Sequence, residues 1–194
     1  MKLNRPTIGE IKKYAAAFDK NGAGASYRAI KKLIHCFPKN NELEIILLKA
    51  TTINALYNTN IKSVLPVAKK IQQLKIDEKI HGGSPSEKIV HEIALVKNKG
   101  KKRNNYSFAT KYCHFHNESF YPIYDSYVKK LLKAYNKADG FYTGKPDFRN
   151  FSEFRAVLGK FRKHYKISEQ KISWPTLDKF LWRYGKEMFP KNFN

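Results

Sequence analysis

Acidic residues are scarce in this chain: 16 Asp and Glu stand against 38 Lys and Arg in 194 residues, a formal charge of +22. Cysteine is scarcer still. Cys36 and Cys113 are too few for a disulfide framework, a four-cysteine zinc site or an iron–sulfur cluster, and the expected setting is a reducing cytosol. Long apolar runs are missing. A stretch such as Ile45-Ile46-Leu47-Leu48 falls far short of the roughly 20 residues that span a bilayer, so no membrane partner is expected. The opening Met1-Lys2-Leu3-Asn4-Arg5-Pro6 has no apolar core of a secretion signal. There is no phosphate loop of the Gly-x-x-x-x-Gly-Lys-Ser/Thr type. Segments alternating with the period of a strand are absent too.

What is present is a helical protein with a basic surface. The 42% hydrophobic and 14% aromatic content supports a packed interior rather than a disordered basic tail. The length allows one domain, or two small lobes sharing a core. A charge surplus of this size repels itself and so needs a reason, either a polyanionic partner or a lysine- and asparagine-rich composition that raises lysine everywhere. It is also concentrated. From residue 93 to 117 there is no acid, while Lys97, Lys99, Lys101, Lys102, Arg103 and Lys111 all fall in that window. Such a patch suits nucleic acid, bound by phosphate neutralisation and counterion release.

Apolar residues recur at three- and four-residue spacing almost throughout. Thr7 and Glu10 form a capping box before Ile11, Tyr14, Ala15 and Phe18. The glycines at 22 and 24 interrupt the pattern, which resumes at Tyr27, Ile30, Leu33 and Ile34 and ends before Pro38. A long apolar helix is predicted over 43–57, stopping near Asn58, and another over 64–74 with Pro66 in its first turn. Ser84-Pro85-Ser86-Glu87 reads as the start of a helix that carries Ile89, Val90, Ile93 and Val96 and dissolves over 97–105. A short helix follows over 108–116, and Asp125 stands as N-cap before Val128, Leu131, Leu132 and Tyr135. An aromatic stripe runs from Phe148 to Tyr165, and Ser173-Trp174-Pro175 opens the last helix. The expectation is an all-α protein of about nine helices in one compact, two-lobed domain over 1–194, with the active site between the lobes. The glycine-bearing loops near 82 and 140 read as turns, not linkers.

Several sites are excluded by spacing. His91-Glu92 has no second histidine one turn on, and His114 and His116 are two apart, which points them in different directions on a helix. No metal site is expected. Glu10-Ile11-Lys12 has the shape of a nuclease motif but lies on an amphipathic helix without an acidic partner upstream. Arg28 and His35 have the spacing of small helical ribonucleases.

One segment carries more. Ser107 to Val128 places Lys111 in a short helix and Asp125 at the start of the next, with Pro122-Ile123-Tyr124 approaching it. The lysine-rich, hairpin-like stretch around Gly100 precedes them. This resembles the helix-hairpin-helix DNA glycosylases, particularly their 8-oxoguanine glycosylase-like branch. Leu56-Tyr57-Asn58-Thr59-Asn60-Ile61 resembles the family's Asn-rich segment, which contacts the base left unpaired in the duplex. The resemblance spans about 40–135, with 1–39 and 136–194 completing the helical lobes.

The resemblance implies an all-α DNA glycosylase. It would flip out a damaged or modified base and hydrolyse its glycosidic bond, with no cofactor. The base would be an oxidised purine, as in repair, or a bulky modified base of phage DNA, as in defence. Asp125 would stabilise the positive charge that develops on the sugar. Lys111 falls on the position of the lyase members' Schiff-base lysine, and must be neutral to act as a nucleophile. The expectation is a monofunctional enzyme with water as nucleophile, lyase activity remaining open. DNA contacts are assigned to Asn58, Asn60, Lys97, Lys99, Lys101, Lys102 and Arg103. Stacking on the flipped base is assigned to Tyr57, Tyr121, Tyr124, Trp174 and Trp182. The partner is duplex DNA, the chain a monomer, the location the cytoplasm with the nucleoid. A non-catalytic helical nucleic-acid-binding protein is the alternative, and a ribonuclease using Arg28 and His35 a third.

Overall fold

The computed structural model describes residues 3–98, 100–168 and 170–190, and among these it has ten helices and a single two-stranded sheet. The fold is all-α apart from that hairpin. The chain divides into two compact units, one of residues 1–24 and 124–194, the other of residues 25–123. The division falls at neither of the loops near 82 and 140.

The first unit comprises α1 (Ile8–Asp19), α8 (Ser126–Asp139), α9 (Phe151–His164) and α10 (Trp174–Met188). Side-chain oxygens close the starts of all four. Thr7 Oγ1 accepts from the Glu10 N–H at 3.2 Å, Asp125 Oδ1 from Tyr127 at 2.9 Å, Asn150 Oδ1 from Glu153 at 3.3 Å and Ser173 Oγ from Thr176 at 3.4 Å. Each helix buries one apolar stripe: Ile11, Ala15 and Phe18 on α1, Val128, Leu131, Leu132 and Tyr135 on α8. Phe151, Phe154, Leu158 and Phe161 do so on α9, and Leu177, Phe180, Leu181 and Tyr184 on α10. α10 packs against α1 and α8. Gly185 makes the second contact possible, since a Cβ there would sit 2.9 Å from the Tyr127 carbonyl oxygen.

The second unit holds most of α2 (Gly22–Cys36), then α3 (Leu43–Tyr57), α4 (Leu65–Leu74), α5 (Ile76–His81), α6 (Lys88–Ala94), strands β1 (Leu95–Asn98) and β2 (Lys101–Asn104), and α7 (Tyr106–His116). At its centre is α7, of which every residue but Ser107 is buried. α3, α5 and α6 pack against it.

Three local expectations are corrected here. A tenth helix, α5, follows α4 directly: Lys75 takes the left-handed conformation at φ 47° and redirects the chain, and Ile76 and Ile80 are fully buried. Six residues with two apolar positions are too short to show a period. α6 starts at Lys88, not at 84–85, because the Ser86 backbone is used elsewhere: its N–H donates to the Lys79 carbonyl at 2.9 Å and its carbonyl accepts from the Tyr121 hydroxyl at 3.0 Å. The helix then ends at Ala94, and residues 95–104 form an antiparallel hairpin with Leu95 opposite Asn104 and Asn98 opposite Lys101. Gly100, at φ 75°, sits at its tip in a conformation that only glycine adopts without strain.

Candidate nucleic-acid interface and active site

The hairpin is built from cations. Lys101, Lys102, Arg103 and Asn104 of β2 are all exposed, as is Lys97 on β1, while Val96 alone turns inward. Lys99 lies outside the described residues. The register sets Lys97 directly opposite Lys102. Like charges facing across a ladder destabilise it, so this pair does not itself stabilise the hairpin. Among the described residues, none of Lys97, Lys101, Lys102 and Arg103 has an ion-pair partner. Two carboxylates of the second unit pair with lysines outside the hairpin, Glu118 with Lys31 at 2.8 Å and Glu92 with Lys79 at 3.0 Å.

Lys111 is only 2% exposed. Its Nζ donates to Ser107 Oγ, one turn back on α7, at 2.7 Å, and lies over the Tyr57 ring, 5.6 Å from the centroid. Tyr57, at the end of α3, also meets Phe115 edge-on at 5.7 Å. Asn58 closes α3 in the left-handed conformation, φ 48°, with its N–H on the Asn54 carbonyl, and Asn60 repeats that conformation at φ 59°. Both are exposed. Lys111, Tyr57, Asn58, Asn60 and the hairpin all belong to the second unit.

Asp125, Tyr124, Trp174 and Trp182 belong to the first. Asp125 is half-buried, with Oδ1 capping α8. Tyr124 packs edge-on against Phe154 at 5.6 Å. Trp174 is buried, with the Arg162 guanidinium 4.1 Å from its ring centroid. In the second unit Tyr121 is fully buried and hydrogen-bonded to Ser86. Three of the five assigned aromatics therefore work as core, and Tyr57 and Trp182 are the two with partly exposed faces. Arg28 and His35 are exposed on α2.

Sequence reasoning missed two features of the second unit. The first is a buried polar cluster around α7. Lys49 of α3 is fully buried, and its Nζ donates to the Lys39 carbonyl at 2.8 Å and Asn40 Oδ1 at 3.1 Å, with His116 Nε2 at 3.4 Å. Burial lowers the Lys49 amine to about 8, partly offset by Asp77. The Tyr112 hydroxyl donates to Asn40 Oδ1 at 2.6 Å, and Asp77 Oδ2 accepts from the Asn40 N–H at 2.8 Å. His116 Nδ1 lies 2.8 Å from the Tyr112 carbonyl and His114 Nδ1 2.8 Å from that of Tyr121, so each ring carries its proton on Nδ1 and leaves Nε2 as an acceptor. The Nε2 atoms face different partners, Lys49 for His116 and the Tyr27 hydroxyl, at 3.3 Å, for His114. Burial pushes His114 down to about 4 and His116 to about 3. The second missed feature is that Lys69 and Lys70 of α4 share a groove with the hairpin. Neither had a sequence signal, since each depends on which helices meet.

No described helix is long and apolar enough to cross a membrane. Comparison with known proteins places the chain among relatives without describing their activity. Residues 10–120 match the family model HI_0787_N, described as an N-terminal domain. That span includes the hairpin, Asn58, Asn60 and Lys111 and ends before Asp125. An uncharacterized protein of Haemophilus influenzae is 39% identical over 154 residues, covering 78% of this chain and 72% of that protein. No solved structure matches. With more than half of its length matched by the family model, and a relative of this similarity, the chain belongs to the HI_0787_N family.

Proposed function

We propose that this protein binds duplex DNA through the hairpin of its second unit and excises a damaged or modified base by hydrolysing the glycosidic bond. The observation that carries the reading is the order of elements: a helix, α6; a cationic hairpin with Gly100 at positive φ; a helix, α7, bearing Lys111; and a Pro122-containing loop ending in an aspartate that caps α8. In this reaction water attacks the sugar C1′, the bond from C1′ to the base breaks, and the base leaves with the bonding pair and takes a proton. Asp125 would stabilise the cationic sugar and orient the water. Its capping bond to Tyr127 fixes the carboxylate in place before substrate arrives. The unneutralised cations of the hairpin supply the affinity.

The burial of Lys111 and its bond to Ser107 favour water over the lysine amine as nucleophile, because an attacking amine would have to give up that contact. They also favour the second reading, a nucleic-acid-binding protein without chemistry. The test is the purified chain on a panel of base-modified duplexes and phage genomic DNAs, with released base as readout. Excision that falls at least about 10²-fold in Asp125→Asn, with duplex binding retained, is the expected result. Binding without release from any substrate would leave the non-catalytic reading, and near-normal turnover in Asp125→Asn would remove the aspartate from its role.

A further inference from the structure

Pro66, Lys69, Lys70 and Gln73 of α4 face Leu95, Val96, Lys97, Lys102 and Arg103 of the hairpin across an open groove of about 640 Å³. Five of its lining side chains are cationic and none is acidic. None of the five has a hydrogen-bond or ion-pair partner among the described residues. Leu95 is 56% exposed at the wall. A groove lined by cations from both elements together with the apolar Pro66 and Leu95 matches the chemistry of a sugar–phosphate backbone. Phosphate oxygens take the charges, and the deoxyribose faces take the leucine and proline. No aromatic side chain lines it, so it lacks the stacking surface on which single-strand binders hold unpaired bases. A two-stranded ribbon fits the major groove of a duplex, whose rims are backbones. A backbone beside the ribbon would lie along α4.

We propose that the groove between α4 and the hairpin holds the phosphodiester backbone of one strand of a duplex, with Lys69 and Lys70 as phosphate ligands from the wall opposite Lys97, Lys102 and Arg103. The proposal rests on the nucleic-acid reading above and extends it to a second element. It also gives a purpose to the facing Lys97–Lys102 pair, whose mutual repulsion a phosphate held near both would relieve.

The test is the salt dependence of binding of the full chain to an unmodified duplex oligonucleotide, followed by fluorescence anisotropy. Lys69 is exposed and Lys70 half-buried on α4, and neither side chain is bonded to another described residue, so Lys69→Gln/Lys70→Gln should leave the thermal melt unchanged. Loss of two phosphate contacts should lower the slope of log K against log salt by about 1.8 in magnitude. The control is Lys12→Gln/Lys20→Gln, which removes the same charge from exposed positions of the first unit. An equal fall in the control would show that total charge, not the groove, sets the slope, and would overturn the proposal. So would an unchanged slope in Lys69→Gln/Lys70→Gln while the unaltered chain binds. If the unaltered chain binds neither duplex nor single strand, the nucleic-acid reading itself fails. Preference for single strands with the Lys69/Lys70 dependence kept would reassign the occupant and overturn the duplex proposal alone.

Discussion

Acid should unfold the second unit before the carboxylates matter, because two neutral imidazoles sit inside it. His114 and His116 are both buried on α7, and burial lowers their affinity for a proton to about 4 and about 3 from the ordinary 6.5. Their Nδ1–H groups are committed to the carbonyls of Tyr121 and Tyr112. A second proton on His116 would have to enter beside the Lys49 ammonium, 3.4 Å from Nε2. In the unfolded chain both rings protonate as the pH passes 6.5, while in the folded chain they do not. The unfolded state therefore binds more protons, and stability is lost as the pH falls from 6.5 until the folded values are reached. At pH 5 each ring is 1.5 units below its unfolded value, at about 1.4 kcal/mol per unit, so each costs about 2 kcal/mol and the pair about 4 kcal/mol. That is a large part of the 5–15 kcal/mol by which domains are typically stable. Urea unfolding followed by circular dichroism at pH 7, 6 and 5 measures it. His116→Asn keeps a donor near the Nδ1 position and removes the titration, so it should halve the acid loss. Equal stability at pH 7 and 5 would refute the reasoning. So would an imidazole resonance of either residue titrating near 6.5 in the folded protein.

Three further outcomes follow from single contacts. Asp125→Ala should destabilise by about 1 kcal/mol through loss of the α8 cap, and Asp125→Asn, which can cap equally well, should change thermal stability little; equal melts for all three would remove the capping role. Gly185→Ala forces a methyl against the Tyr127 carbonyl and should cost about 1–3 kcal/mol in denaturant unfolding, whereas an unaffected midpoint would mean that α8 and α10 separate freely. Borohydride added during turnover should trap no protein–DNA adduct; an adduct that disappears in Lys111→Gln would show the amine to be the nucleophile.

How much of this was legible beforehand divides along a physical line. The helices with one buried face were readable: α1, α8, α9 and α10 have their apolar residues where the period put them, although Phe148 and Tyr165 of the aromatic stripe fall outside α9, and Thr7, Asp125 and Ser173 cap where their side chains suggested. The end of α3 at Asn58 was readable too, because asparagine tolerates the left-handed conformation that closes a helix. Periodicity and capping are properties of a few neighbouring residues, and the sequence alone determined them, along with the charge and its gap in acid from 93 to 117.

The tertiary structure decided the rest. α7 is surrounded on all sides, so its polar residues, Lys111, His114 and His116, became interior groups, although lysine and histidine at a helix usually face water. Lys49 is buried because Asn40, Lys39 and His116 converge on its amine, from positions up to 67 residues away. By periodicity residues 95–104 read as the fading end of a helix, since four-residue strands of lysine and arginine have no apolar alternation to display, and Gly100 alone marked the stretch as hairpin-like. They pair because Gly100 turns the chain and Val96 finds a buried seat. Which lysines share a groove with that hairpin depended on α4 packing beside β1. Contacts between residues distant in sequence leave no local pattern, so the candidate interface became visible only when the helices were in place.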